Sequence, residues 1–401
     1  MARTAEIGRT GQAPIFVLKG RSTMANKTSV SRSLAAAQDA GLCVDLSYLE
    51  SQLAGLDAVC LSTAEGLESV GLDNPKSWKE VQGWLVARGH TTIPNTRSDT
   101  LQRMGIAAKD EAAAMLVEHR SAVSRARAVA DVVRKAEVIS TDHPGTGIIR
   151  CQWTESGTGR IYTAQPNLQA APDQVREAVR ARDGGVFVIV DWHAAELFGL
   201  AVLAEEWALV KWIEEGGDAH QYTADILGLD RDAGKVVNLG LTYGMTEKGM
   251  AAATGLDVDV CTTHLAGWFA AHPKLKAYRD WIMLQARKTH EVQVRPDLLI
   301  SIPDEKWEKN PEDAERSAVA YAGQGIIALK MRQAIAASKP RKCLRLPLHD
   351  GALYELQTAH SNERVKLLRH IIRAWSLFIN GHALRVRVKE GSTWAETREE
   401  E

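Results

Sequence analysis

The sequence predicts an α+β fold in which a large helical insertion interrupts a small antiparallel sheet. Three observations lead there. Val186-Phe187-Val188-Ile189-Val190 is a continuous apolar run ending on Asp191, as in a fully buried strand. Cys343 to Leu348 forms a second strand-like run, followed by a tight turn at His349-Asp350-Gly351 and a returning strand to about residue 356. Between them, residues 193–215, 218–228, 230–244, 246–254 and 258–290 carry helical patterning. Strands separated by a block of helices, without βαβ alternation, indicate α+β.

The remaining elements follow in order. A helical pattern runs from Ser33 to about Asp57, interrupted by Gly41-Leu42-Cys43-Val44-Asp45. Asn74 and Pro75 suit the cap and first turn of a helix over 74–89. Residues 109–138 read as one long helix, with Arg120, Arg125, Arg127, Arg134 and Lys135 set against Glu118, Asp131 and Glu137. Taken alone that is a solvated face; the functional reading is a helix that contacts phosphates. His143-Pro144-Gly145-Thr146-Gly147 is a turn before a strand-like stretch at 148–154. Thr158-Gly159-Arg160 and the extended polar segment Gln165 to Gln169 come next. Residues 291–312, with Pro296, Pro303 and Pro311, read as irregular. Helices over 312–337 and 361–377 and a last strand over 383–389 complete the pattern. Residues 1–32 carry six cations against Glu6 and no secretory h-region, so a loose lead-in is expected, with Met24 an alternative start.

Bulk properties narrow the function classes. The 401 residues, 45% hydrophobic, suffice for a substantial core and two or three subdomains. A net charge of −1 excludes a globally basic protein, so any nucleic-acid contact must rest on local positive charge. No apolar run approaches the roughly 20 residues that span a bilayer, so no membrane partner is expected. The five cysteines are scattered and form no CxxC, which argues against a disulfide framework or a zinc site and fits a reducing cytoplasm.

The chemistry concentrates in three places. Asp191 closes a buried strand and Asp350 sits at a hairpin turn. On neighbouring strands the two carboxylates form a hard-oxygen site for Mg²⁺, or for Mn²⁺ in its place, which otherwise keeps water and phosphate oxygens. Two metals about 4 Å apart can activate a 3′-hydroxyl and stabilise a leaving pyrophosphate. Either aspartate alone is more simply a turn or cap residue. Arg231 and Lys235 are i and i+4 and share a helix face suited to β- and γ-phosphates. Tyr243 lies two further such steps along. Gly240 and Gly244 weaken this helix by about 1 kcal/mol each in an interior, which suggests close approach of a partner.

On these residues the chain resembles the family A DNA polymerases, the DNA polymerase I group. Val190-Asp191-Trp192-His193-Ala194-Ala195-Glu196-Leu197 resembles motif A. Arg231-x3-Lys235-x3-Leu239-Gly240-x2-Tyr243-Gly244 resembles motif B. Leu348-His349-Asp350 resembles motif C. Thr158-Gly159-Arg160 with Asn167-Leu168-Gln169 resembles the palm segment that touches the primer–template minor groove. Glu315-Arg316-x7-Gln324-Gly325 is similar to the helix that meets template and primer. Asp218-Ala219-His220 is similar to the fingers segment at the triphosphate. The resemblance spans residues 36–395.

It implies a right-hand polymerase with a small antiparallel palm sheet and a mostly helical thumb and fingers. The expected division is a lead-in over 1–35 without an exonuclease domain, thumb 36–148, first palm part 149–212, fingers 213–325 and second palm part 326–401. Asp191 and Asp350 would hold two Mg²⁺ ions, with Lys235 the acid for pyrophosphate. Arg231, Lys235 and His220 would bind the triphosphate, and Tyr243 would lie beside the nascent pair. Glu196, hydrogen-bonded to Tyr243, would gate against ribonucleotides. Arg160, Asn167, Gln169, Arg316, Gln324 and His349 would contact DNA, with Arg160 and Gln324 on minor-groove acceptors shared by all correct pairs. The implied partners are primer–template DNA, dNTPs and replication accessory proteins, in the cytoplasm of a bacterial or phage-infected cell. A core lacking proofreading in cis favours a phage source.

Several positions depart from the family pattern. Gly351 stands where motif C carries Glu, Leu239 where motif B carries Phe or Tyr, Phe198 where an Arg follows the motif A Glu, and Ala320 where an Asn precedes Gln324. Two other readings compete with DNA synthesis. One is a single-subunit RNA polymerase, opposed by Glu196. The other is a degenerate primer–template binding module, opposed by the retained aspartate pair.

Overall fold

The computed structural model describes residues 23–397, apart from 91–92, 94, 104, 139–144, 183 and 358–360. Residues 1–22 of the expected lead-in, and the His143-Pro144 part of the turn, lie outside the described residues.

At the centre is a four-stranded antiparallel sheet in the order Leu344–Pro347, Gly351–Gln357, Gly185–Trp192, Val386–Gly391. Its central strand Gly185–Trp192 extends the expected run by one residue at each end. Alternation sends its side chains to opposite faces. Val188, Val190 and Trp192, each fully buried, enter the main core. Phe187 and Ile189 pack into a second core beneath the N-terminal helices. Asp191 continues the second face, where apolar packing gives way to a cleft.

The main core is organised by the helix Pro311–Ala337, buried on nearly every side. Asn310 caps it and Pro311 occupies its first turn. Helix Ala195–Leu203 packs across it with Gly199 against Ile326, where a Cβ would stand 2.9 Å from the Ile326 methyl. The seven helices between Ala195 and Thr289 wrap this side. On the other side, Leu46–Ser69 and Glu111–Lys135 run along each other and enclose, with the short helices between them, a satellite core around Leu67, Leu85 and Leu116.

The fold corrects several expectations. Residues 23–32 are no loose lead-in: they open the helix Thr23–Ala40, whose Val30 reaches the core and whose Ser29 donates to the Ala336 carbonyl at 3.3 Å. The interruption at Gly41 is a strand, Leu42–Asp45, central to a second small sheet with Glu137–Val138, Thr146–Ile149 and Val179–Arg180. The stretch 148–154 divides between two sheets, as Thr146–Ile149 and Gln152–Glu155. Ser77, not Asn74, caps the helix that begins at Trp78, while Asn74 closes a turn onto Lys76. The helical stretches 193–215 and 258–290 each break in two, at Ala204–Glu206 and at His272.

The supposedly irregular 291–312 contains a hairpin, Glu291–Arg295 with Leu298–Ser301, and a helix Asp304–Lys309. Its prolines punctuate elements: Pro296 makes the tight turn, and Pro303 and Pro311 open helices. The Gln165–Gln169 segment is compact, not extended. Gln165 has φ +56° and Asn167 caps a single turn of 3₁₀ helix.

Candidate active site

Antiparallel pairing sets Asp191 opposite Gly351, so Asp350 is the next residue along, and the Trp192 amide donates to the Asp350 carbonyl at 3.2 Å. The two carboxylates, 159 positions apart in sequence, therefore share one end of the sheet. Their proximity is visible in their electrostatics. Desolvation and the neighbouring Asp191 charge push the Asp350 carboxyl up to about 6. The strands approach so closely that a Cβ on residue 351 would stand 2.6 Å from the Val190 carbonyl and 2.7 Å from the Asp191 Cβ. That closeness explains why glycine follows Asp350.

Asp191 has a partner that sequence reasoning missed. Arg387 lies directly across from it on the last strand, and its guanidinium forks onto the carboxylate, Nε to Oδ1 and Nη2 to Oδ2, both at 3.1 Å. The alternation of Val386-Arg387-Val388 in an expected strand was the available signal; the pairing partner was not.

Beyond Asp191 the chain turns sharply. Ala194 adopts φ +47°, a left-handed conformation uncommon outside glycine, and swings the strand into helix Ala195–Leu203. This turn brings Glu196 back into the cleft. There it meets the buried Arg160 in a partly buried ion pair, and the other Arg160 nitrogen, Nη1, donates to the Tyr243 hydroxyl at 3.4 Å. Arg160 thus stands between the two residues expected to bond each other. The turn carrying Arg160 is held by Arg332, whose guanidinium donates to the Gly159 carbonyl at 3.1 and 3.0 Å and pairs with Glu155 at 2.7 Å. Thr158 donates to Gln324 at 3.3 Å, joining this turn to the long helix.

Helix Arg231–Thr242 forms the cationic face. Asp230 caps it, and Arg231, Lys235, Leu239 and Tyr243 follow one another at spacings of four along one side, with Leu239 and Tyr243 about half exposed. Arg231 pairs with Asp218 at 2.7 Å. Burial opposes ionisation of Asp218, but the Arg231 hydrogen bond and two backbone amides prevail and hold it at about 2. His220 is fixed by Asn238, whose amide nitrogen lies 3.2 Å from Nδ1, so Nδ1 accepts and the proton stays on Nε2. Burial lowers the His220 pKa, and the nearby Arg231 and Lys235 charges add to this. Asn238 is itself buried and bonds the Ala219 carbonyl and Thr223, locking helix Ala219–Leu227 to helix Arg231–Thr242. Sequence reasoning did not single it out. The glycines expected to admit a ligand admit protein instead: a Cβ on Gly240 would meet Met245, and one on Gly244, at φ +72°, would lie 2.6 Å from the Arg316 carbonyl.

The residues expected on DNA are placed unevenly. Asn167 is exposed and lines a cleft of about 760 Å³ between helix Glu111–Lys135 and residues 166–175, together with Lys76 and Arg127. His349 is exposed beside Asp350, edge-on to Tyr162 at 5.8 Å. Arg316 pairs within its own helix with Asp313 at 3.3 Å. Gln169 is buried, and its amide donates to the carbonyls of Ile161 and Pro347 at 2.9 and 2.8 Å. It braces the hairpin behind His349 and offers no open face. Of the expected phosphate-tracking cations, Arg120 bonds the Pro75 and Thr96 carbonyls, Arg125 donates to the Ser121 carbonyl at 3.4 Å, Arg134 and Lys135 pair with Asp131, and Arg127 is exposed on the cleft that Arg134 also lines.

The donor set suits a hard divalent cation. Two carboxylates share one end of the sheet, close enough for the Asp191 charge to act on Asp350, and among the described residues no cluster of three or more His, Cys, Asp or Glu side chains offers a fuller cage. Such a pair leaves positions for water and phosphate oxygens, as Mg²⁺ prefers. No disulfide joins the five cysteines. No helix among the described residues is long and apolar enough to cross a membrane.

A sheet with two aspartates at one end, in a chain whose helix Arg231–Thr242 carries a cationic face, has the fold of a right-hand polymerase domain. The family model for DNA polymerase family A matches residues 50–396, and the chain belongs to that family. It is 27% identical over 282 residues to the thermostable DNA polymerase I of Thermus thermophilus, covering 64% of this chain and 34% of that protein. It is 24% identical over 373 residues to DNA polymerase I of Borreliella burgdorferi, covering 83% and 39%. The chain thus spans little more than a third of these curated relatives. Its fold matches the POL domain of Pol1 from M. smegmatis, solved with DNA primer-template and dNTP, at a TM-score of 0.80 and 22% identity, over 92% of this chain and 70% of that one.

Proposed function

We propose that this chain is a template-directed DNA polymerase that adds dNTPs to a primer 3′-hydroxyl. The observation that carries the reading is the convergence of Asp191 and Asp350 on one sheet end, close enough for one charge to raise the pKa of the other. Mg²⁺ bound by these carboxylates would supply Lewis-acid stabilisation of the transferred phosphate and activation of the attacking hydroxyl. The residues do the rest. Lys235 and Arg231 neutralise the triphosphate, and His220 donates from Nε2 to a phosphate oxygen. Lys235 would protonate the leaving pyrophosphate. Tyr243 and Glu196, both tied to Arg160, shape the pocket at the sugar, and Glu196 takes the space of a 2′-hydroxyl.

The duplex would lie in the cleft between helix Glu111–Lys135 and Asn167, with Gln324, Arg316 and His349 nearer the primer end. On this reading residues 36–148 act as thumb, 149–212 and 326–401 as palm, and 213–325 as fingers. The cysteines without disulfides support a reducing, cytoplasmic setting. Primer extension with Mg²⁺, offering dNTPs and rNTPs separately, tests the proposal. Efficient dNTP incorporation with rNTPs refused is expected. Equal use of rNTPs would favour the RNA polymerase reading, and duplex binding without incorporation the degenerate module.

A further inference from the structure

The Arg387–Asp191 fork has a consequence for metal loading. Nε and Nη2 each engage a different oxygen of the Asp191 carboxylate at 3.1 Å. Cross-strand register delivers the arginine there, since Arg387 is paired with Asp191 in the ladder itself. The pair is only partly exposed, with 34% of the arginine and 28% of the aspartate side chain accessible, so water screens it incompletely. A bidentate guanidinium takes one lone pair on each oxygen and sets a unit positive charge within a few ångströms of the site a divalent ion would occupy. That charge repels an incoming divalent ion and draws on the same carboxylate.

We propose that Arg387 is the metal centre's own counter-cation. Resting on the proposed polymerase reading, it holds Asp191 aimed into the cleft while no ion is bound and competes with one of the two ions for Asp191. Metal binding then works against the guanidinium's charge and weakens its hold on Asp191. Asp350, whose backbone is pinned to Trp192 and whose carboxylate carries no such fork among the described residues, provides the seat that loads first. Arg387 is thus a positioning residue that sets metal affinity.

The test is metal binding by the full chain without DNA or nucleotide. Mn²⁺ binding is followed at pH 8 by the electron paramagnetic resonance of the free ion, for wild type, Arg387→Gln, Arg387→Lys and Asp191→Asn. Unfolding midpoints are recorded alongside. Arg387→Gln is expected to bind Mn²⁺ on the order of 10-fold more tightly than wild type, from loss of a unit charge a few ångströms away. Arg387→Lys, a point charge without the fork, is expected to lie between them. Affinity equal to or weaker than wild type in Arg387→Gln overturns the proposal. Should that variant fail to fold, Arg387→Lys decides by the same criterion. Wild-type binding that survives Asp191→Asn unchanged would instead refute the metal assignment itself, so the two failures are separable.

Discussion

Gly351 lies directly across the sheet from Asp191, with no room between the strands for a side chain at 351, since a Cβ there would fall 2.7 Å from the Asp191 Cβ. Gly351→Glu, which would restore the residue usual in motif C, should therefore harm this chain. Overpacking at such a contact costs about 1–3 kcal/mol. A lower unfolding midpoint with weaker Mn²⁺ binding is expected. A variant as stable as wild type with unchanged metal affinity would show that the sheet accommodates the side chain.

Arg160 bonds both Glu196 and Tyr243, so sugar discrimination should depend on all three. Glu196→Ala is expected to raise the rNTP-to-dNTP incorporation ratio on the order of 10²-fold. Arg160→Ala should raise it too, because Glu196 loses its anchor, and the double variant should add little to either. Single-nucleotide insertion kinetics measure this. Additive effects would separate Arg160 from the gate.

Lys235 shares its helix face with Arg231 and Tyr243, away from the cleft lined by Asn167. Lys235→Ala should slow incorporation about 10²–10³-fold, as for loss of one charge-stabilising donor. Primer–template affinity, measured by fluorescence anisotropy, should hold. Equal loss of both would place Lys235 on the duplex.

The Asp350 pKa of about 6 has a defined sign of effect. Its folded value exceeds the ordinary carboxylate value of 3.8, so between these values the native state binds more protons than the unfolded chain. Metal-free stability should therefore fall as pH rises from about 4 to 6 through this group. Asp350→Asn should relieve on the order of 3 kcal/mol of that penalty above pH 6. Metal-induced stabilisation in the wild type should appear as pH rises through about 6. Thermal unfolding with and without Mg²⁺ across pH 5–8 reads both. Metal stabilisation already complete at pH 5 would contradict the shift.

What the sequence made legible were features local in the chain. The run to Asp191, the turn at Asp350 and the four-residue spacing of Arg231, Lys235 and Tyr243 are written in neighbouring residues. Arg387, Arg332 and Asn238 act through partners 196, 173 and 18 positions away, and only pairing across strands and helices reveals them. Gln169 shows the converse: its polarity suggested an outward contact, yet two buried carbonyls of its own fold claim the amide. The hairpin at 291–301 was hidden because Pro296 within it and Pro303 and Pro311 after it suggested irregularity, although Glu291-Val292-Gln293-Val294 alternates as a strand does.

The most direct test of the central claim is a crystal structure with Mn²⁺, a dideoxy-terminated primer–template and the next dNTP, with anomalous scattering used to locate the ions. Manganese peaks bridging the carboxylates of Asp191 and Asp350 and the triphosphate, with Arg387 withdrawn from Asp191, are the predicted result. Manganese bound elsewhere, with the Arg387–Asp191 fork intact beside an ordered nucleotide, would contradict it.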